Sequence, residues 1–136
     1  MLRSALNRPL HPNEVAIAFH SIGLRLYSLQ DIPEAEGGTN LHSAIALAIP
    51  YQPTQTLVVS DGKPDDPKQA LFMAEKLSGM INTLYINSDR DREAIAFMRQ
   101  LARLGCGRTA NCDISHPQNQ ILLKGSIQKL LKVKEQ

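Results

Sequence analysis

The side chains of Thr39 and Asp61 carry oxygen atoms, and their sequence context is suited to binding a metal ion. Thr39 follows a pair of glycines at the predicted start of a helix, and Asp61 closely follows the apolar run 57–59. A leucine and two valines in that run are typical of a strand buried on both faces of a parallel sheet. Ligands of open α/β sheets bind at the carboxyl ends of the strands, so both side chains are expected at that edge. A hydroxyl and a carboxylate are hard oxygen ligands that suit Mg²⁺.

A purely structural role explains the same two residues. Thr39 could cap its helix, and Asp61 could accept hydrogen bonds from the amides of the turn that follows. Asp65 and Asp66 could add oxygen ligands, although Asp66 is better explained as the N-cap of the next helix. The residues alone leave both readings open.

The elements that position these residues alternate between strands and helices. Residues 15–19 and 24–29 predict a β-hairpin, because a four-residue break containing Gly23 separates two apolar stretches. The predicted elements that follow are a helix capped by Thr39 or Asn40 and stopped by Pro50, the strand 57–59, a helix capped by Asp66, the strand 81–86, the helix 90–104, the strand 109–114 and a helix opened by Pro117. This order predicts an α/β fold with a mostly parallel sheet, built from right-handed crossovers and covered on both faces.

Each predicted helix carries an apolar stripe at helical spacing. Asp66 followed by Pro67 marks one start, and Gly79 and Gly105 mark two ends. The residues expected to face the core are Leu41, Ala44, Ile45 and Ala48; then Ala70, Met73, Ala74 and Leu77; then Ala94, Phe97, Met98 and Leu101; and finally Leu123, Ile127, Leu130 and Leu131.

Length and composition exclude several classes of protein. The 136 residues, 43% of them hydrophobic and 21% charged, predict one soluble globular domain spanning residues 1–136. A net charge of +2, without basic clusters among aromatic residues, argues against nucleic acid. No apolar run approaches the roughly 20 residues that span a bilayer, so no membrane partner is expected. Without a signal peptide, the chain is expected to be cytoplasmic, with Cys106 and Cys112 as reduced thiols.

Segments 37–41 (GGTNL) and 56–64 (TLVVSDGKP) resemble the second and third parts of the metal-ion-dependent adhesion site of von Willebrand factor A domains. Residues 15–19 resemble the second strand of that family, residues 81–86 its fifth, and residues 101–109 its approach to the last strand. The resemblance covers residues 5–131.

The resemblance implies a Rossmann-like three-layer sandwich with a mostly parallel sheet and one antiparallel edge strand. It implies that Thr39 coordinates a divalent ion directly, usually Mg²⁺, and that Asp61 does so through water. An acidic residue of a protein partner would then complete the site. Domains of this family are binding modules and not enzymes.

The chain departs from the family in lacking its DxSxS motif and the first, central strand that carries it. Three of the five metal-site residues are therefore missing, and the second and fourth strands of the family would face a gap. The sheet could close up, a second copy or another chain could donate a strand, or the chain could be part of a longer one. Unpaired strand edges in a protein interior are costly, so the gap should be filled.

The sequence therefore predicts a protein–protein interaction module of the von Willebrand factor A type, whose divalent-metal site is incomplete or lost. A second hypothesis is a small α/β enzyme or nucleotide-binding domain that uses the same carboxyl edge of the sheet. A third is a structural subunit that completes its sheet by self-association and so forms a homo-oligomer.

Overall fold

The computed structural model describes residues 16–19, 23–26, 40–60, 62–86 and 90–111. In chain order these residues form β1 (Ala16–Phe19), β2 (Gly23–Leu26), α1 (Leu41–Ala48), a 3₁₀ turn (Ile49–Tyr51), β3 (Gln55–Ser60), α2 (Pro67–Ala74), β4 (Met80–Tyr85), α3 (Arg92–Leu104) and β5 (Thr109–Asn111). The chain is thus a mixed α/β fold, as its sequence predicts.

The strands of the described residues belong to two sheets. Strands β3, β4 and β5 form an open, all-parallel sheet with β4 in the centre. Strands β1 and β2 pair antiparallel, with Ala16 opposite Leu26 and Phe19 opposite Gly23. The hairpin predicted around Gly23 is therefore present, and α1 contacts both of its strands.

The core lies between one face of the parallel sheet and the three helices. Val58 of β3 lies beside Thr83 of β4 in the register. The hydroxyl of Thr83 donates to the carbonyl of Met98 at 3.0 Å, which identifies this face as the one that α3 covers. The cluster of buried side chains contains Leu41, Ile45, Val58, Ala70, Ala74, Ile81, Tyr85, Ala94, Ile95, Phe97, Met98 and Leu101.

Each helix begins at a side-chain cap that satisfies an otherwise free amide. Asn40, one of the two predicted caps of α1, accepts a hydrogen bond from the amide of Ser43 at 3.2 Å. Asp66 caps α2 through the amide of Gln69 at 3.1 Å, and Pro67 occupies the first helical position as predicted. Asp91 caps α3, so that helix begins at Arg92, two residues later than the predicted start at residue 90.

Several predicted bounds differ from the observed ones. Strand β2 begins at Gly23 and its described part ends at Leu26, whereas the alternation predicted residues 24–29. Helix α2 ends at Ala74, and Leu77 packs against the core from the segment beyond it. Residues 112–114 of the last predicted strand, Cys112 among them, and the predicted helix after Pro117 lie outside the described residues.

The connection from α3 to β5 runs very close to the start of β4. The amides of Gly105 and Gly107 both donate to the carbonyl of Ala102, at 3.1 and 3.0 Å. Cys106, between them, takes the left-handed conformation with φ of 55°. A Cβ atom at Gly105 or Gly107 would overlap the backbone of Ile81. The predicted cap at Gly105 is correct, but these glycines are needed for space and not for a positive φ.

Candidate functional site

The first part of the candidate site is the amino end of α1. Asn40 caps this helix, and Thr39, which precedes it, lies outside the described residues. His42, in the first turn, has a buried Nδ1 atom without a hydrogen-bond partner. No local pattern singles out His42, because its burial depends on the tertiary packing of α1.

The second part is the carboxyl end of β3. This strand ends at Ser60, so Asp61 is the first residue beyond it, but Asp61 also lies outside the described residues. The hydroxyl of Ser60 is buried in the turn, where it donates to the carbonyl of Gly62 at 2.8 Å and accepts from the amide of Gly62 at 3.3 Å. The hydroxyl of Ser60 is therefore hydrogen-bonded within the turn.

The turn between β3 and α2 is joined to the first turn of α3 by an ion pair. Lys63 Nζ lies 3.0 Å from Glu93 Oε2, with the two side chains 44% and 81% exposed. Exposed pairs of this kind contribute about 0–1 kcal/mol to stability. Pro64 is buried, whereas Asp65 is exposed to solvent. The ion pair and Pro64 hold the turn against the domain and leave the carboxylate of Asp65 in solvent.

The described residues do not complete a divalent-metal site. They contain no group of three or more histidines, cysteines, aspartates or glutamates that could hold an ion. Near the end of β3, Asp66 Oδ1 accepts the amide that it caps, and Glu93 pairs with Lys63. The assignment of Thr39 and Asp61 as metal ligands therefore stays a prediction.

A cavity of about 440 Å³ lies beside the second half of α3, away from the carboxyl edge of the sheet. Its lining contains two cationic side chains and one thiol, and none of its residues is a carboxylate or a histidine. The thiol belongs to Cys106, which is free, as predicted, and is exposed. A nucleophile needs a neighbouring base, so this lining does not support covalent catalysis. The lining residues are Arg99, Ala102, Arg103, Cys106, Gly107 and Thr109.

Among the described helices, none is long and apolar enough to cross a membrane. Comparison of the chain with known proteins finds no matching family model, no matching curated protein and no matching solved structure.

Proposed function

We propose that this chain is a protein-binding domain of the von Willebrand factor A type, with a Rossmann-like three-layer arrangement and a metal site that is incomplete without groups from a partner. The observation that carries the proposal is the position of the two motif residues relative to the observed elements. Asp61 directly follows a parallel strand, and Thr39 directly precedes the cap of a helix. The proposal assigns both residues to the edge at which open α/β sheets bind their ligands.

The order and pairing of the strands support the proposed family. The hairpin β1–β2 comes first, and the parallel strands β3, β4 and β5 then lie side by side in chain order. Such a half-sheet, with the hairpin apart from it, is what the family arrangement leaves when its first, central strand is missing. The finer arrangement, a single mostly parallel sheet with one antiparallel edge strand, belongs to this proposal.

The small number of oxygen ligands available for a metal ion favours protein binding over tight metal binding. Mg²⁺ prefers octahedral oxygen coordination, and the number of charged ligands sets the affinity for divalent ions. Thr39 and Asp61 supply two oxygen groups, and the hydroxyl of Ser60 is already bonded within its turn. Groups from a partner are therefore needed to raise the affinity, and a surface that depends on a partner in this way is suited to recognition and not to catalysis.

We expect the chain to bind Mn²⁺, used as a paramagnetic substitute for Mg²⁺, no more tightly than about millimolar, because two oxygen ligands make a weak site. In nuclear magnetic resonance spectra, the amides of Asn40 and Gly62, the sequence neighbours of Thr39 and Asp61, should broaden first. Asp61→Ala should abolish this broadening, while Asp65→Ala, which removes an exposed carboxylate four residues away, should retain it. Equal broadening in the wild type and Asp61→Ala would exclude Asp61 as a ligand, and micromolar affinity would contradict an incomplete site.

We expect the partner to contact the carboxyl edge of the sheet. A photoreactive residue, p-benzoylphenylalanine, placed at Asp65 should give a covalent adduct with a second protein in cells, because Asp65 is exposed beside the candidate site. The same residue at Arg103, exposed near the opposite end of α3, is the matched control and should give none. Adding Asp61→Ala should reduce the adduct formed at position 65. Adducts of equal yield from both positions, or none from position 65, would contradict the proposed binding edge.

A further inference from the structure

One edge of β3 has no partner strand among the described residues. The carbonyls of Thr54 and Ser60 accept hydrogen bonds from Met80 and Ile86 at 3.0 and 2.9 Å, so the even-numbered residues of this segment face β4. Main-chain groups alternate in direction along a strand. The N–H and C=O groups of Leu57 and Val59 therefore point away from β4, toward the open side.

The open edge of β3 lacks the features that normally prevent strand pairing. Edge strands are usually protected by charged side chains, proline or a bulge. The six residues of β3 read QTLVVS, without a charge or a proline. Their register with β4 is continuous from Gln55 opposite Met80 to Ser60 opposite Tyr85, so there is no bulge. A regular, uncharged edge of this kind is suited to the backbone of another extended strand.

The sequence of β3 is chemically symmetric about Val58. Residues 56–60 read Thr, Leu, Val, Val, Ser, with a hydroxyl at each end and aliphatic side chains between. Consider a second copy that runs antiparallel about a two-fold axis at Val58. Each Leu57 then lies opposite Val59 of the other copy, and each Thr56 opposite Ser60 of the other copy.

This register also matches the direction of the main-chain groups. The groups that point outward belong to Leu57 and Val59, so each of the two Leu57–Val59 pairs can exchange two N–H···O=C bonds. A register centred on Leu57 instead sets Thr56 against Val58 and Gln55 against Val59, which places polar side chains opposite apolar ones.

We propose that β3 pairs antiparallel with β3 of a second copy of this chain, about a two-fold axis at Val58, so that the strands β3, β4 and β5 of both copies form one continuous sheet. The contact is isologous, with the same surface on both copies. It uses the side edge of the sheet and not the carboxyl edge of the proposed partner site, but it excludes a single sheet in which the hairpin β1–β2 pairs with β3, because β3 has only one edge without a partner strand among the described residues.

Val59→Pro tests the pairing, since proline removes an N–H group that faces the open side and leaves the ladder to β4 intact. In sedimentation equilibrium, the full wild-type chain should have twice its mass of 15.0 kDa, and Val59→Pro should sediment at 15.0 kDa. We expect the dimer dissociation constant to rise at least about 100-fold, because two hydrogen bonds are lost per dimer. Val59→Ala retains the N–H group and should remain dimeric.

Cross-linking gives a second test that does not require the proline variant to fold. In a Cys106→Ser, Cys112→Ser background, Val58→Cys should form a disulfide-linked dimer on mild oxidation. The two positions form a non-hydrogen-bonded pair with Cα atoms about 4.5 Å apart, within the range of disulfides. Leu57→Cys should not cross-link. A monomeric wild type, a dimer that Val59→Pro leaves unchanged, or cross-linking through Leu57→Cys alone would overturn the proposed pairing.

Discussion

Gly107→Ala is expected to destabilise the fold by about 3 kcal/mol or more, a loss at the upper end of single substitutions. The added Cβ atom would overlap the carbonyl of Ile81 at the start of β4 and lie 2.7 Å from Asn82 Oδ1. That oxygen accepts the amide of Arg108 at 2.8 Å, so the substitution would also disturb this hydrogen bond. Neither Ile81 nor Asn82 can move without disturbing the core, since β4 is the central strand and all its residues after Met80 are buried.

Urea denaturation followed by far-ultraviolet circular dichroism would measure the loss, with Gly62→Ala as the matched control. An added Cβ at Gly62 meets no atom within 4 Å, so the control should change the free energy of unfolding by less than about 0.5 kcal/mol. If Gly107→Ala also changed it by no more than that, the close approach of this connection to β4 would be wrong.

Leu101→Ala is expected to lower the free energy of unfolding by about 2–5 kcal/mol, because it opens a cavity in the core. Leu101 is fully buried and belongs to the cluster between α3 and the sheet. Leu104, three residues further along the same helix, is 42% exposed. Leu104→Ala therefore removes the same atoms at similar helix propensity and should cost less than about 1 kcal/mol.

Chemical denaturation of the two leucine variants and the wild type measures this difference directly. Similar losses for Leu101→Ala and Leu104→Ala would contradict the orientation of α3. Since a domain of this size has roughly 5–15 kcal/mol of stability, the larger loss still leaves a folded population to measure.

The helices could be predicted from the sequence because their signals are local. The stripe of α3, with Ala94, Phe97, Met98 and Leu101, is buried as expected. The cap at Asp66 and the proline after it depend only on adjacent residues, and both are observed. The apolar periodicity does not determine which residue caps a helix, so the predicted start of α3 at residue 90 differs from the observed start at Arg92.

The glycines after α3 show how a correct prediction can rest on an incomplete reason. Gly105 predicts a helix end because glycine tolerates the left-handed conformation, yet Cys106 is the residue that adopts it. A side chain at Gly105 or Gly107 would overlap Ile81, which lies more than 20 residues away in the chain. Contacts of this kind depend on the tertiary fold, which local patterns do not specify.

Strand pairing is the other feature that local patterns predict only in part. The apolar run of β3 correctly indicates a strand in a parallel sheet, and it also suggests a central position with neighbours on both sides. Among the described residues, β3 pairs with β4 alone. The candidate site is predicted only at the level of residue types, since Thr39 and Asp61 lie outside the described residues.

The alternating direction of main-chain groups along β3 has a consequence for amide hydrogen exchange. The amides of Thr56 and Val58 face β4, so they exchange with solvent only when the sheet opens. Those of Leu57 and Val59 face outward and exchange readily unless another strand protects them. Neighbouring amides of one strand thus report two different events: the opening of the sheet, and the occupation of its edge.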